Sequence, residues 1–185
     1  MESAPRPTVE AIRRHDAVVR AAWTSAPACL PLRFGQWVES RDTLEARLTE
    51  QRAELERGLA RVAGAGEHGV RVVDPAETAK TEPQAPRPTS GKAYLERLQD
   101  KAHRQEERER RADAIGRELK AALAEVIRAQ RLDPLPSGQG LVSVSHLVPR
   151  EHEPEYTRRL RDFREEHAEL GFVLTGPWPP YSFGP

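Results

Sequence analysis

The chain has 185 residues, enough for one ordinary domain or two small ones. Apolar residues make up 37% and charged residues 31%, so much of the chain is solvated surface. The 16 prolines exceed the usual share of about 5% and mark breaks between elements. Lys plus Arg equals Asp plus Glu at 29 each, a balance that argues against a nucleic-acid partner and against attraction to an anionic membrane. Cys29 is the single cysteine, so no internal disulfide and no CxxC metal site can form, which fits a reducing cytoplasm. Met1 to Thr8 lacks the apolar core of a secretory signal. No stretch approaches the roughly 18 apolar residues of a spanning helix.

Thr8 is placed to cap a helix running to about Trp23, with Val9, Ile12, Val19 and Trp23 as apolar anchors and Pro27 as the stop. Leu30, Leu32 and Phe34 alternate, which predicts a half-buried strand. Pro31 has no N–H to donate, so that strand belongs at an edge. Ser40 can cap a long helix from about Asp42 to Val62, with Leu44, Leu48, Leu55, Leu59 and Val62 at helical spacing. Gly64 and Gly66 end it, and residues 70–73 form a short strand. Residues 75–89 carry four prolines and are expected to be an extended linker.

A second long helix is expected from Ser90 to about Arg131, roughly 60 Å at 1.5 Å per residue. Tyr94, Leu95 and Leu98 open it and Ile115, Leu119, Leu123, Val126 and Ile127 close it. Its charged middle, His103 to Arg111, either stays helical through i,i+4 pairs such as Glu106–Arg110 and Glu107–Arg111 or breaks there. A loop from Leu132 to Gly140 follows. A strand over residues 141–148, a helix from Glu155 to Leu170 and a strand over residues 172–175 complete the order. The architecture is α+β in two modules: residues 1–74, the linker 75–89, residues 90–176, and a Pro/aromatic tail over 177–185.

Several known catalytic and nucleotide-binding signatures are missing: there is no GxxxxGK[ST], HExxH or GxSxG. Glu151-His152-Glu153 are adjacent residues, which rarely converge on one ion, so a solvated turn is the plainer reading. The i,i+4 pair His103 and Glu107 fits a solvent-facing helix. His146, on the face of Val142, Val144 and Val148, fits a satisfied core or edge residue better than a base. Cys29 has no activating neighbour in sequence and is expected to pack. The sequence therefore predicts no enzyme, no cofactor and no metal. The tail holds four prolines in nine residues, which favour polyproline II, with Trp178 and Tyr181 on one edge and Pro177, Pro180 and Phe183 on another. Such a tail either clasps the protein's own core or forms a docking strip.

Three motifs carry a family resemblance. The tail from residues 174 to 183, with Gly176, Pro177, Trp178, Pro179, Pro180, Tyr181 and Phe183, resembles the terminal signature of the GvpF/GvpL gas vesicle proteins. Leu30, Pro31, Leu32, Arg33, Phe34 and Gly35 resemble their central LPLRFG motif. Gly91, Tyr94 and Leu95 are similar to the opening of their second half. The resemblance runs from about Thr8 to Phe183, in family order. It implies two α+β modules, the second like a modified ferredoxin-like fold. It also implies an accessory or minor structural protein of gas vesicle formation, in the cytoplasm at the gas vesicle. The implied partners are the apolar shell protein and other gas vesicle accessory proteins, with no nucleic acid and no membrane. Family members open with a further stretch that includes strands, so either the start is placed too late here or the first module is shortened, which would leave the Leu30–Phe34 edge exposed or used by another chain. A helical adaptor, associating through Leu44–Val62, is the alternative.

Overall fold

The computed structural model describes residues 7–75, 90–133, 135 and 140–184. The linker expected over 75–89 lies, apart from Pro75, outside them. The described residues form five α-helices and four strands. These are α1 (Val9–Ser25), α2 (Arg41–Glu50), α3 (Arg52–Val62), β1 (Ala65–Val73), α4 (Gly91–Leu123), β2 (Ala129–Leu132), β3 (Val142–Pro149), α5 (Glu153–Glu166) and β4 (Gly171–Trp178). The strands make one sheet in the order β2-β3-β1-β4, and each neighbouring pair is antiparallel. The fold is α+β, and β1 pairs with strands from beyond the Pro-rich segment on both of its edges.

One face of the sheet is closed by two helices. Ile115, Leu119 and Leu123 recur every fourth residue of α4, and Tyr156, Leu160 and Phe163 form the apolar stripe of α5. They pack on Val70, Val72, Val142, Val144 and Val148, which the pleat places on that side. Each such side chain contributes about 1.5–3 kcal/mol by leaving water. The other face carries a smaller cluster of Val62, Ala65, Leu147 and Phe183.

Side-chain caps set the starts of α1 and α2. Thr8 Oγ1 accepts from the Ala11 N–H at 3.1 Å, and Ser40 Oγ accepts from the Thr43 N–H at 3.1 Å. The single helix expected over 42–62 is two helices that meet at Gln51. Thr49 donates to the Glu45 carbonyl at 2.8 Å, a back-bond that bends helices. Only α3 buries residues, Gly58 and Val62, so only that half is fixed by packing.

Three further expectations are corrected. Residues 29–34 form no strand: they run as an irregular segment, with Leu30 turned to the smaller cluster and Leu32 62% exposed. Among the described residues no strand pairs with them, and Pro31 could not serve a full ladder. Next, α4 stops at Leu123, eight residues short of the expected end. The Val126 and Ile127 N–H groups turn back to the Leu123 carbonyl, and the Arg128 N–H then donates to Leu147. Residues 129–132 become a strand because β3 offers them an open edge. Finally, the first strand begins at Ala65, so Gly66 lies inside it and Gly64, at φ +65°, makes the turn.

The charged middle of α4 is helical throughout. Glu106 pairs with Arg110 at 3.7 Å, while Glu107 pairs with His103 at 3.2 Å. Arg111 instead meets the buried carboxylate of Asp74, just past β1. This contact, with Arg108 donating to the Gly140 carbonyl, ties α4 to the end of the sheet.

Gly176 sits at φ +108°, and a Cβ there would stand 2.6 Å from the Glu67 carbonyl oxygen. Gly176→Ala is expected to destabilise the fold by about 1–3 kcal/mol in urea unfolding. Gly116→Ala, whose Cβ meets nothing within 4 Å, should match or exceed the parent.

Candidate interaction surfaces

The tail motif is split between clasp and surface. After Trp178 the chain turns: Tyr181 N–H donates to the Pro179 carbonyl and Phe183 N–H to the Pro180 carbonyl. This is a compact turn in place of the expected polyproline II. Pro179 and Pro180 are buried, and Phe183 enters the cluster with Val62, Ala65 and Leu147. The buried carboxylate of Glu67 fastens it, accepting from the Ser182 N–H at 2.8 Å and the Ser182 hydroxyl at 2.7 Å. Arg131 adds a bond to the Ser182 carbonyl at 2.9 Å.

Two aromatic side chains of the tail remain accessible. Trp178 is 40% exposed, with the Arg20 guanidinium 4.3 Å from its ring centre. Tyr181 is half-buried, and its hydroxyl pKa is raised by burial and by the charge of Asp16. Both therefore abut α1 near Asp16 and Arg20.

The central motif leans on the same region. Leu30 packs against the cluster that holds Phe183. His15 Nε2 donates to the Leu32 carbonyl at 2.9 Å, and its ring meets Phe34 edge-on at 5.6 Å. Leu32 points to solvent, as does Trp37 at 46% exposure. Arg33 and Gly35 make the following turn, with Gly35 at φ +90°. Burial pushes the Cys29 thiol pKa up, away from thiolate reactivity. The third motif lies elsewhere: Tyr94 and Leu95 are exposed in the first turns of α4, with Leu98 one turn on.

Trp23 is the residue that sequence reasoning undervalued. Its indole N–H donates to the Ala65 carbonyl at 3.0 Å, its ring lies against Gly66, and Arg150 stacks on it at 4.9 Å. Arg150 also donates to the Trp23 carbonyl at 2.8 Å. A large aromatic at the end of an amphipathic helix was the available signal. Nothing in the sequence indicated the glycine that receives it.

The histidines beneath the sheet are structural. His146 is buried, with Nδ1 bonded to the Tyr156 hydroxyl at 3.0 Å and Nε2 to the Gln130 side chain at 3.2 Å. Burial, with His68 nearby, lowers its pKa to about 4. Burial also lowers the pKa of His68, against a smaller opposing effect of Glu153 at 3.8 Å. Burial raises the Tyr156 hydroxyl pKa. Among the described residues no group of three or more His, Cys, Asp or Glu is placed to hold a metal ion, and no helix is long and apolar enough to cross a membrane.

The fold is shared with a solved gas vesicle protein. The crystal structure of GvpF from Anabaena sp. PCC7120 superposes with a TM-score of 0.77 at 16% identity, over 99% of this chain and 80% of that one. In sequence, gas vesicle protein L of a Streptomyces species is 29% identical over 94% of this chain and 68% of its own length. Gas vesicle protein F2 of Halobacterium salinarum is 24% identical over 97% of this chain and 70% of its own length. The family model for gas vesicle synthesis protein GvpL/GvpF matches residues 1–185, and the chain belongs to that family. Its membership supports a role in gas vesicle formation.

Two predictions test this geometry. Phe183→Ala should cost about 3 kcal/mol in urea unfolding, and Trp178→Ala no more than about 1 kcal/mol. Because the folded-state pKa of His146 lies below its unfolded value of 6.5, the stability it supports is complete above pH 6.5. That stability is lost as the pH falls from 6.5 toward 4, by an amount on the order of 3 kcal/mol. His68 acts in the same direction. His146→Gln should flatten the dependence of unfolding free energy on pH across that window.

Proposed function

We propose that this protein is an accessory factor of gas vesicle formation that binds the hydrophobic shell protein during nucleation or assembly, and that it works by binding rather than catalysis. The family match over residues 1–185 carries this reading. The surface supports it physically. A partner that is apolar before it polymerises needs apolar side chains to rest on, set in a charged body that stays dispersed. Leu32, within the central motif, is such a side chain at 62% exposure, and Trp178 of the tail motif is a second. Their scaffold neighbours Leu30, Pro179, Pro180 and Phe183 hold the two motifs rather than face outward. The place of action in this reading is the cytoplasm at the growing vesicle, with the shell protein and other gas vesicle proteins as partners and neither nucleic acid nor membrane.

One observation favours a second reading. Tyr94, Leu95 and Leu98 form an exposed apolar strip at the start of α4, ahead of the part that packs on the sheet. A helical adaptor would use that strip for coiled contacts with an unrelated partner.

Co-expression with the gas vesicle shell protein and capture under non-denaturing conditions separates the two. Leu32→Asp is expected to reduce capture about tenfold or more with unchanged circular dichroism, while Leu95→Asp leaves capture intact. Capture lost only in Leu95→Asp would favour the helical strip. No capture by the folded parent chain would remove the shell-protein reading.

A further inference from the structure

Strand β4 is a sheet edge. Its inner side pairs with β1, and no described element pairs with its outer side. Sheet edges of this kind are normally blunted by charge, proline or a bulge. Here the blunting is confined to one end. The register shifts between Glu67 and Gly69, opposite Gly176 and Pro177, while Gly171 to Thr175 pair regularly. That leaves five regular residues, about 17 Å of strand, with Val173 52% and Leu174 43% exposed.

The helix beside this edge is uneven in charge. On α5, Arg158 is bound by Glu155 and by Asp162 at 2.6 Å, and Arg159 by Glu155 and by Glu125 at 2.6 Å. Arg161 meets only its neighbour Asp162, at 3.9 Å, and Asp162 already belongs to Arg158. Arg164 forms no ion pair among the described residues, and its guanidinium lies 6.0 Å from the Phe172 ring centre. Both arginines line two hollows along β4. One, of about 370 Å³, is bounded by Leu174 and Thr175. The other, of about 430 Å³, is bounded by Gly171 and Phe172. Glu153 lines only the first, where it faces His68, and Glu165 only the second. Between the hollows, beside the middle of the edge, the charge is positive.

We infer that the Gly171–Thr175 edge takes an extended segment of another protein chain as a fifth strand, with acidic side chains of that segment turned toward Arg161 and Arg164. Backbone hydrogen bonds supply the attachment and alternate side chains the selectivity. On the helix side, partner residues fall beside Phe172 and Leu174, where carboxylates meet the two arginines. On the opposite side they fall beside Val173, which favours an apolar residue. The occupant is therefore an alternating acidic and apolar strand. A second copy of β4 fits poorly: Gly171–Trp178 holds no carboxylate, and pairing two copies would bring their arginines together. The inference does not depend on which gas vesicle protein is the partner proposed above.

Fluorescence anisotropy of the full chain tests it with a labelled peptide of alternating valine and glutamate. Binding is expected, about tenfold or more weaker for the valine–lysine peptide and for the chain carrying Arg161→Glu with Arg164→Glu. N-methylation of alternate peptide amides, which removes the donors a strand needs, should abolish it. Both arginines are exposed, so the double variant is expected to fold, with a circular dichroism spectrum that matches the parent. No binding of the valine–glutamate peptide, equal binding of the lysine peptide, or binding that survives N-methylation overturns the inference. So does a dimer of the parent chain in sedimentation that the double substitution strengthens, which would assign the edge to a second copy.

Discussion

The strand Ala65–Val73 hydrogen-bonds along both edges, to Val142–Pro149 on one side and Gly171–Trp178 on the other, and the rest of the molecule is arranged about that double pairing. Its alternation assigns the two faces. Val70 and Val72 look toward α4 and α5, while Ala65 and Glu67 look toward the tail. Its ends are fixed by side chains from distant segments: Trp23 and Arg150 near Ala65, Arg111 on Asp74. A strand paired along both edges, with Val70 and Val72 buried on one face, has little freedom of register, because a slip of one residue would turn those valines to the wrong side.

The tail shows how one short motif can serve structure and surface together. Pro179, Pro180 and Phe183 enter the core, and Glu67 locks the turn through Ser182. A buried carboxylate is tolerable only when such donors meet it. Trp178 and part of Tyr181 are left at the surface beside α1, next to the segment that presents Leu32. The two motifs that open and close this arrangement, near residue 30 and near residue 180, are thus neighbours through the cluster shared by Leu30 and Phe183.

The surface charges follow a similar division. Most ion pairs are i,i+4 contacts along exposed helices, each of small value, and they keep α2, α4 and α5 solvated. The exceptions are informative: Arg111 reaches a buried partner, and Arg161 and Arg164 lack the close carboxylates of their helical neighbours. Exposed apolar side chains lie on α1 at Val9, Ile12 and Val18 as well as at Leu32, the start of α4 and the β4 edge, within a chain of zero formal net charge.

The α+β class, the helix at Thr8, the start of the helix at Ser40, the strands near 142–148 and 171–175 and the α5 stripe were legible because periodicity and capping are local properties. So was the family, whose three motifs stand as contiguous words. His146 was readable as a satisfied core residue from its place among valines. What tertiary contact alone decided is equally specific. Ala129–Leu132 has helix-favouring composition and becomes a strand because β3 leaves an edge free. Leu30–Phe34 alternates like a strand and forms none, since no strand among the described residues pairs with it. The tail's prolines suggested an extended helix, but Glu67 and the Phe183 cluster fold the chain after Trp178 into a turn. Pattern reports the preference of a segment for itself; hydrogen-bond partners on distant strands and cavities shaped by other elements are set only when the whole chain closes, and where the two conflict the shared contacts prevail.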